Sequence, residues 1–204
     1  MFCSAQHVRQ PDTWFHPTLL PRWPVGNFLF EEAMLAATSC ELHTFDCTYE
    51  GSSILPGRHF YHKWCIGNPG LGITTGLDFK SWDDVLRELQ HDHVNLLKID
   101  IEGHEYPVLA ALQAGSQRVL PDEISMEVHA RYVQGWAKTH LEGSWQNGVN
   151  LPHTPGDMAL VFMHLANQGY GVYSAEENLD WYMCCSEFSF LRIPAAVAAS
   201  GQQH

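Results

Sequence analysis

Past a proline-rich opening, the apolar positions fall into short runs whose spacing switches between helical and strand periods. From Asn27, a candidate N-cap, FLFEEAMLAAT sets Phe30, Ala33, Met34 and Ala37 at helical spacing. ELHTFD at 41–46 and HFYHKWCI at 59–66 read as strands bounded by Gly or Pro, with the glycine-rich 67–76 between elements as a loop. Ser81 and Asp84 form a capping-box signature, and Trp82, Val85, Leu86 and Leu89 make one apolar stripe, so 82–90 is predicted helical. VNLLKIDI at 94–101 is a nearly continuous apolar run, the pattern of a strand covered on both faces.

A helix is expected next, with Pro107 in its first turn, Val108, Leu109 and Leu112 facing inward, and Gly115 ending it. EISMEVH at 123–129 reads as a strand and MALVFMHLANQ at 158–168 as a helix closed by Gly169. YGVYS and MCCSEFSFLRI read as a closing pair of strands. Residues 130–156, rich in Trp, Gly, Asn and Pro, lack periodicity and read as an insertion or lid carrying Trp136 and Trp145. Strands alternating with helices predict an α/β sandwich with a mainly parallel sheet and an antiparallel C-terminal pair. Pro11, Pro17, Pro21 and Pro24 make 1–26 an extended arm, leaving 27–193 as the domain and 194–204 as a tail.

At 204 residues one domain is the working unit. Its 11 Lys and Arg against 23 Asp and Glu split as 7 against 12 in residues 1–100 and 4 against 11 in the rest, so neither half is basic. Gripping a phosphate backbone needs clustered cations, which argues against nucleic acid and anionic membranes as partners. No apolar run approaches the roughly 18 residues of a membrane-spanning helix, and the first residues lack a basic-then-apolar leader. The six cysteines form no C-x-x-C pair, and Cys40 and Cys47 would flank a strand roughly 23 Å long, so most are expected to be buried fillers rather than crosslinks.

Ligands of open α/β sheets gather beyond the carboxyl ends of the strands. Acids stand at those ends: Asp46, then Asp100 and Glu102, then Glu127 with His129. Asp46 suits the paired hydroxyls of a ribose, or equally a chain turn. In IDIEGHEY, Asp100, Glu102, His104 and Glu105 crowd a strand end and a helix start, where Glu102 and Glu105 serve either the helix dipole or catalysis. His59 with His62 and His91 with His93 are the nearest histidine pairs, but 59 and 62 would face opposite sides of a strand, and no metal ligand set is assigned.

LLKIDIEGHEYPVL at 96–109 resembles the KIDxEGxE segment of FkbM-type methyltransferases and their methyltransferase-like relatives. FEEAM at 30–34, CELHTFDCT at 40–48, EISMEVH, LANQGYGVYSAEEN and CCSEFSFLRI follow in the same order, extending the resemblance over roughly residues 26–193. It implies a seven-stranded Rossmann-like fold that binds S-adenosylmethionine and methylates a hydroxyl on a small molecule or sugar. By that resemblance Asp46 matches the ribose acid, Gly67 and Asn68 meet the adenine edge, and Asp100 and Glu102 stand at the mouth of the site. Glu102 is then the organiser and His104 or His129 the base that a hydroxyl acceptor requires. The family's first strand and glycine-rich loop are reduced here to Gly26 in GNFLFEE, behind PTLLPRWPV, so the first strand is expected to be missing or replaced by the arm. A non-catalytic methyltransferase-like binding or scaffold domain, or a truncated fragment, is therefore the alternative, with a histidine-dependent metal hydrolase third.

Overall fold

A computed structural model describes residues 2–4, 28–101, 103–113, 119–129, 154–177 and 185–193. Its elements run β1 (Phe2–Ser4), α1 (Leu29–Ala37), β2 (Glu41–Phe45), β3 (His59–His62), β4 (Cys65–Ile66), α2 (Gly70–Thr75), β5 (Phe79–Lys80), α3 (Trp82–Leu89), β6 (Leu96–Ile99), α4 (Glu105–Ala111), β7 (Glu123–His129), α5 (Pro155–Asn167), β8 (Tyr170–Glu177) and β9 (Cys185–Arg192). Among the described residues seven strands form one sheet in the order β3-β2-β1-β6-β7-β9-β8, and β4 pairs with β5 separately.

The sheet is mixed. β2 and β3, and β6 and β7, pair parallel, whereas β1 runs antiparallel to both β2 and β6, and β9 to both β7 and β8. The expected mainly parallel sheet therefore holds for the direction of β2, β3, β6, β7 and β8 but not for the pairings, four of which are antiparallel. The closing antiparallel strands are as expected, with an irregular register between Val172 and Ser174.

The centre of the sheet holds a strand from the N-terminal arm. Phe2–Ser4 fill the slot between β2 and β6, with Phe2 opposite His43 and Leu97. Three residues ahead of a proline-rich stretch carry no periodicity, so the partner strands define this one. The rest of the arm, including Gly26 and the candidate cap Asn27, lies outside the described residues, as do 130–153 with Trp136 and Trp145, Gly115 and the 194–204 tail.

One sheet face carries the main core: Phe2, Leu97, Ile99, Ile124, Met126 and Phe190 pack against residues of α3, α4 and α5. Val108, Leu109 and Leu112 face inward as expected, and α3 has both bonds of its capping box. Trp82 Nε1 donates to Val119 O at 3.1 Å, tying α3 to the approach to β7. A second box, Thr154 with Asp157, starts α5.

On the other face α1 sets Leu35 against Cys3, Cys40 and Leu42. Its buried stripe is Glu31 and Leu35 rather than the expected one, and Ala33 and Ala37 are exposed. The helix is rotated because Glu31 accepts a bond from Thr44 Oγ1 at 3.0 Å, while Arg58 donates to the carbonyls of Leu35, Thr38 and Cys40 at the helix end. The 67–76 loop contains α2, closed by Gly76 in the left-handed conformation, and 59–66 divides into β3 and β4.

The described cysteines are crosslinks. Cys3 bonds Cys40 across Cα atoms 5.5 Å apart, Cys47 bonds Cys65 across 4.8 Å, and Cys185 is disulfide-bonded too. The argument against a Cys40–Cys47 bridge holds, but each of those cysteines finds a partner from a non-adjacent segment. Among the described residues no helix is long and apolar enough to cross a membrane.

Candidate functional site

The carboxyl ends of β2, β3, β6 and β7 lie on one edge of the sheet, because β2 and β6 are both antiparallel to β1. Asp46, Asp100 and His129 stand there, each at the end of its strand.

A buried polar cluster joins β6, α4 and β7. Gly103, at φ +96°, turns the chain from β6 into α4 in a conformation that side chains rarely adopt. The turn brings Glu105, 0% exposed, back over the strand end. Its Oε1 accepts from the amides of Ile101 (3.0 Å) and Gly103 (3.2 Å) and lies 2.9 Å from His129 Nδ1. Tyr106 donates its hydroxyl to His129 O at 3.1 Å. On the far side of the imidazole, Nε2 lies 3.9 Å from Asp100 Oδ1.

Burial alone would push the Glu105 carboxyl up. The bond to His129, the attraction of that ring and the backbone amides outweigh it and hold the group below the ordinary carboxylate range. An ionised Glu105 fixes the His129 tautomer with its proton on Nδ1, leaving a lone pair on Nε2 toward Asp100. Glu105 Oε2 is buried without a hydrogen-bond partner among the described residues.

His104 is buried and turned elsewhere, with its ring 5.7 Å from that of Phe79. A Cβ on Gly67 would lie 3.8 Å from His104 Nδ1, so Gly67 and His104 are neighbours. Asn68 beside them accepts from the amide of Gly70 at 2.9 Å. Asp46 is half-buried, and its Oδ1 accepts from Thr48 N, Thr48 Oγ1 and Tyr49 N at 2.8, 2.6 and 3.1 Å. That is the chain-turning role weighed for it, and it occupies one of the two carboxylate oxygens.

Beyond the cluster, Glu127, Glu187 and Glu176 stand directly opposite one another on β7, β9 and β8. Burial, partly offset by Lys98 and reinforced by Asp100, raises Glu187 above the usual carboxylate range.

The structure thus joins Asp100 with His129, and Gly67 and Asn68 with His104, as two groups. Gly26 and Glu102 lie outside the described residues. The organiser of the His129 group is Glu105, which sequence reasoning placed among the chemically able acids without assigning it that role. A signal was present, since an acid in the first turn of α4 faces back toward the strand it follows.

Residues 73–172 match the Methyltransferase FkbM domain, so this part of the chain is similar to FkbM-type methyltransferases. Asp100, His104, Glu105 and His129 fall inside the matched segment, whereas Asp46, Gly67 and Asn68 precede it. One curated relative is "Probable methyltransferase-like protein 24" of Homo sapiens, 25% identical over 119 residues that cover 55% of this chain and 31% of that protein. The aligned part is about a third of the relative's length. No solved structure matches the chain.

Proposed function

We propose that this chain is an S-adenosylmethionine-dependent methyltransferase domain of Rossmann-like type acting on a hydroxyl oxygen of a small molecule or sugar. The observation that carries the reading is the Asp100–His129–Glu105 array at the carboxyl edge of the sheet, within the FkbM-matched segment. The strand order supports it, since it sets β1, β2 and β6 side by side at the centre, where an open α/β sheet binds its ligand.

When bound, S-adenosylmethionine supplies an electrophilic methyl group. Asp46, with Oδ2 not used in its turn, would hold the ribose hydroxyls, Gly67 and Asn68 would meet the adenine, and Asp100 would stand at the mouth. His129 accepts the proton of the acceptor hydroxyl at Nε2 and Glu105 stabilises the resulting imidazolium from Nδ1, the division of labour of a base and its orienting acid. The orphaned Glu105 Oε2 is a fit observation for a bound polar group, because a buried carboxylate oxygen left unbonded costs about 1–3 kcal/mol. The row Glu127–Glu187–Glu176 offers acceptors suited to a polyhydroxylated molecule.

A second reading, a non-catalytic binding domain, is favoured by one observation. β1 runs toward the amino edge, Ser4 opposing Glu41, so the chain leaves this central strand at the edge opposite Asp46, Asp100 and His129. Calorimetric titration of the chain with S-adenosylmethionine separates the two. The enzyme reading expects micromolar binding that Asp46→Ala abolishes, and a well-folded chain that gives no heat refutes it in favour of the binding domain.

A further inference from the structure

A second polar cluster lies at the opposite, amino edge of the sheet. Glu41 opens β2, His43 follows on the same face, and His91 sits in the turn between α3 and β6. Gln90, at φ 59° the one non-glycine residue with positive φ among the described residues, turns the chain there, and the His91 amide bonds Leu86 O at 3.0 Å. These features aim the His91 ring at His43.

Three ligand atoms converge. Glu41 Oε1 lies 2.9 Å from His43 Nε2, His91 Nε2 lies 3.1 Å from His43 Nε2, and His91 Nε2 lies 3.4 Å from Glu41 Oε1. Tetrahedral zinc with bonds of about 2.0–2.1 Å separates its ligands by about 3.3 Å, so an ion equidistant from all three would sit roughly 1 Å out of their plane. Proton counting points the same way. If His43 Nδ1 donates to His62 Nε2, 2.9 Å away, then His43 Nε2 and the Glu41 carboxylate face each other as two acceptors. If His43 Nε2 instead donates to Glu41, that single proton is shared between the carboxylate and the His91 Nε2 lone pair 3.1 Å away. A cation satisfies all three lone pairs at once.

The surroundings suit a metal. His62 is placed to accept from His43 Nδ1, the outer bond that orients a ligating imidazole. Phe2 stacks on His43 at 4.8 Å and meets His91 edge-on at 5.1 Å, holding both rings. His43 is buried, while Glu41 is 45% exposed and gives an ion and a fourth, water ligand a way in. His59 takes no part, since its Nδ1 and Nε2 bond Ile54 N and Thr44 Oγ1 on the other face.

We propose that Glu41, His43 and His91 form a structural site for a divalent transition-metal ion of the zinc class, with His62 as the outer partner of His43. The ion would join β2 to the turn before β6, the two flanks of the three-residue β1.

The test uses the whole oxidised chain, stripped with chelator and titrated with zinc chloride by calorimetry and with cobalt(II) by visible absorption. One equivalent should bind, with tetrahedral cobalt bands and a metal-dependent rise in melting temperature. His91→Gln and Glu41→Gln should each weaken binding by about tenfold or more and remove that rise. His93→Gln, whose ring lies 3.1 Å from Asp122 instead, should bind like the parent. Glu41 is surface-facing, so its variant keeps the test valid if His91→Gln does not fold. Absence of binding, or full binding by the Glu41 variant, overturns the proposal, as does binding lost only in His129→Gln.

Discussion

Replacing Cys3 and Cys40 together by alanine tests what holds the centre of the sheet. β1 is three residues long, and its pairing with β6 rests on two registered residues, Phe2 and Cys3. A strand this short offsets little of the entropy of ordering it, and residues 5–27 separate it from the described start of the domain at Phe28. The Cys3–Cys40 bridge spans 37 residues. With a loop of that size, the chain-entropy relation gives about 3.8 kcal/mol at 25 °C. For a domain of this length, where one kcal/mol moves the midpoint by about 2–4 °C, the melting temperature should fall by about 8–15 °C. The Cys47–Cys65 bridge, spanning 18 residues, gives about 3.2 kcal/mol by the same relation. Circular dichroism with and without reductant measures the total, and native-state hydrogen exchange localises it. Asn95 N donates to Cys3 O at 2.8 Å, so its amide reports β1 directly, while Arg192 N, bonded to Asp122 O at 2.8 Å, reports the far side of the sheet. In the double variant Asn95 should lose protection first, under conditions where Arg192 keeps it. Unchanged melting and unchanged Asn95 exchange would refute the view that this bridge secures the strand.

Glu105→Gln keeps the size of the side chain but removes its charge, and should cost about 1–3 kcal/mol at neutral pH by denaturant titration. Because the folded carboxyl titrates below its unfolded value of 4.5, its stabilisation is full above that pH and is lost as pH falls through the folded value. The parent and the variant should therefore converge in acid, and a constant gap down to acid unfolding would contradict the assignment. Ser81→Ala removes the side-chain bond to Asp84 N and should cost about 1 kcal/mol, read from the chemical denaturation midpoint. Leu109→Ala, in the main core at 1% exposure, should cost about 2–5 kcal/mol in the same assay.

Local signals made much of the domain legible. The Ser81–Asp84 box, the Val108, Leu109 and Leu112 stripe and the apolar run of β6 each express their element within a few residues, and each stands in the structure as read. What escaped depends on partners distant in sequence. Cys3 is 37 residues from Cys40, and His43 meets His62 from 19 residues away and His91 from 48. Pairing histidines by proximity favoured His59 with His62, whereas strand pairing sets His62 against Phe45, beside His43. For α1 the stripe was misjudged because a polar residue, Glu31, is buried by its bond to Thr44, an exchange that hydrophobic spacing does not encode.

On the proposed function, the same geometry separates the two tasks such an enzyme must perform. The proton-accepting side is preorganised, since Glu105 is held by two backbone amides and holds His129 in one tautomer, independently of β1. The proposed cofactor side is less complete among the described residues, because β1 ends at the amino edge and Asp46 spends one oxygen on its own turn. Cofactor binding and proton transfer should therefore fail separately. Asp46→Ala should abolish S-adenosylmethionine binding, and His129→Gln should leave that binding within about twofold while removing turnover, because the base acts on the acceptor and not on the cofactor. If His129→Gln abolished cofactor binding as well, the imidazole would belong to the cofactor pocket and its role as base would have to be abandoned.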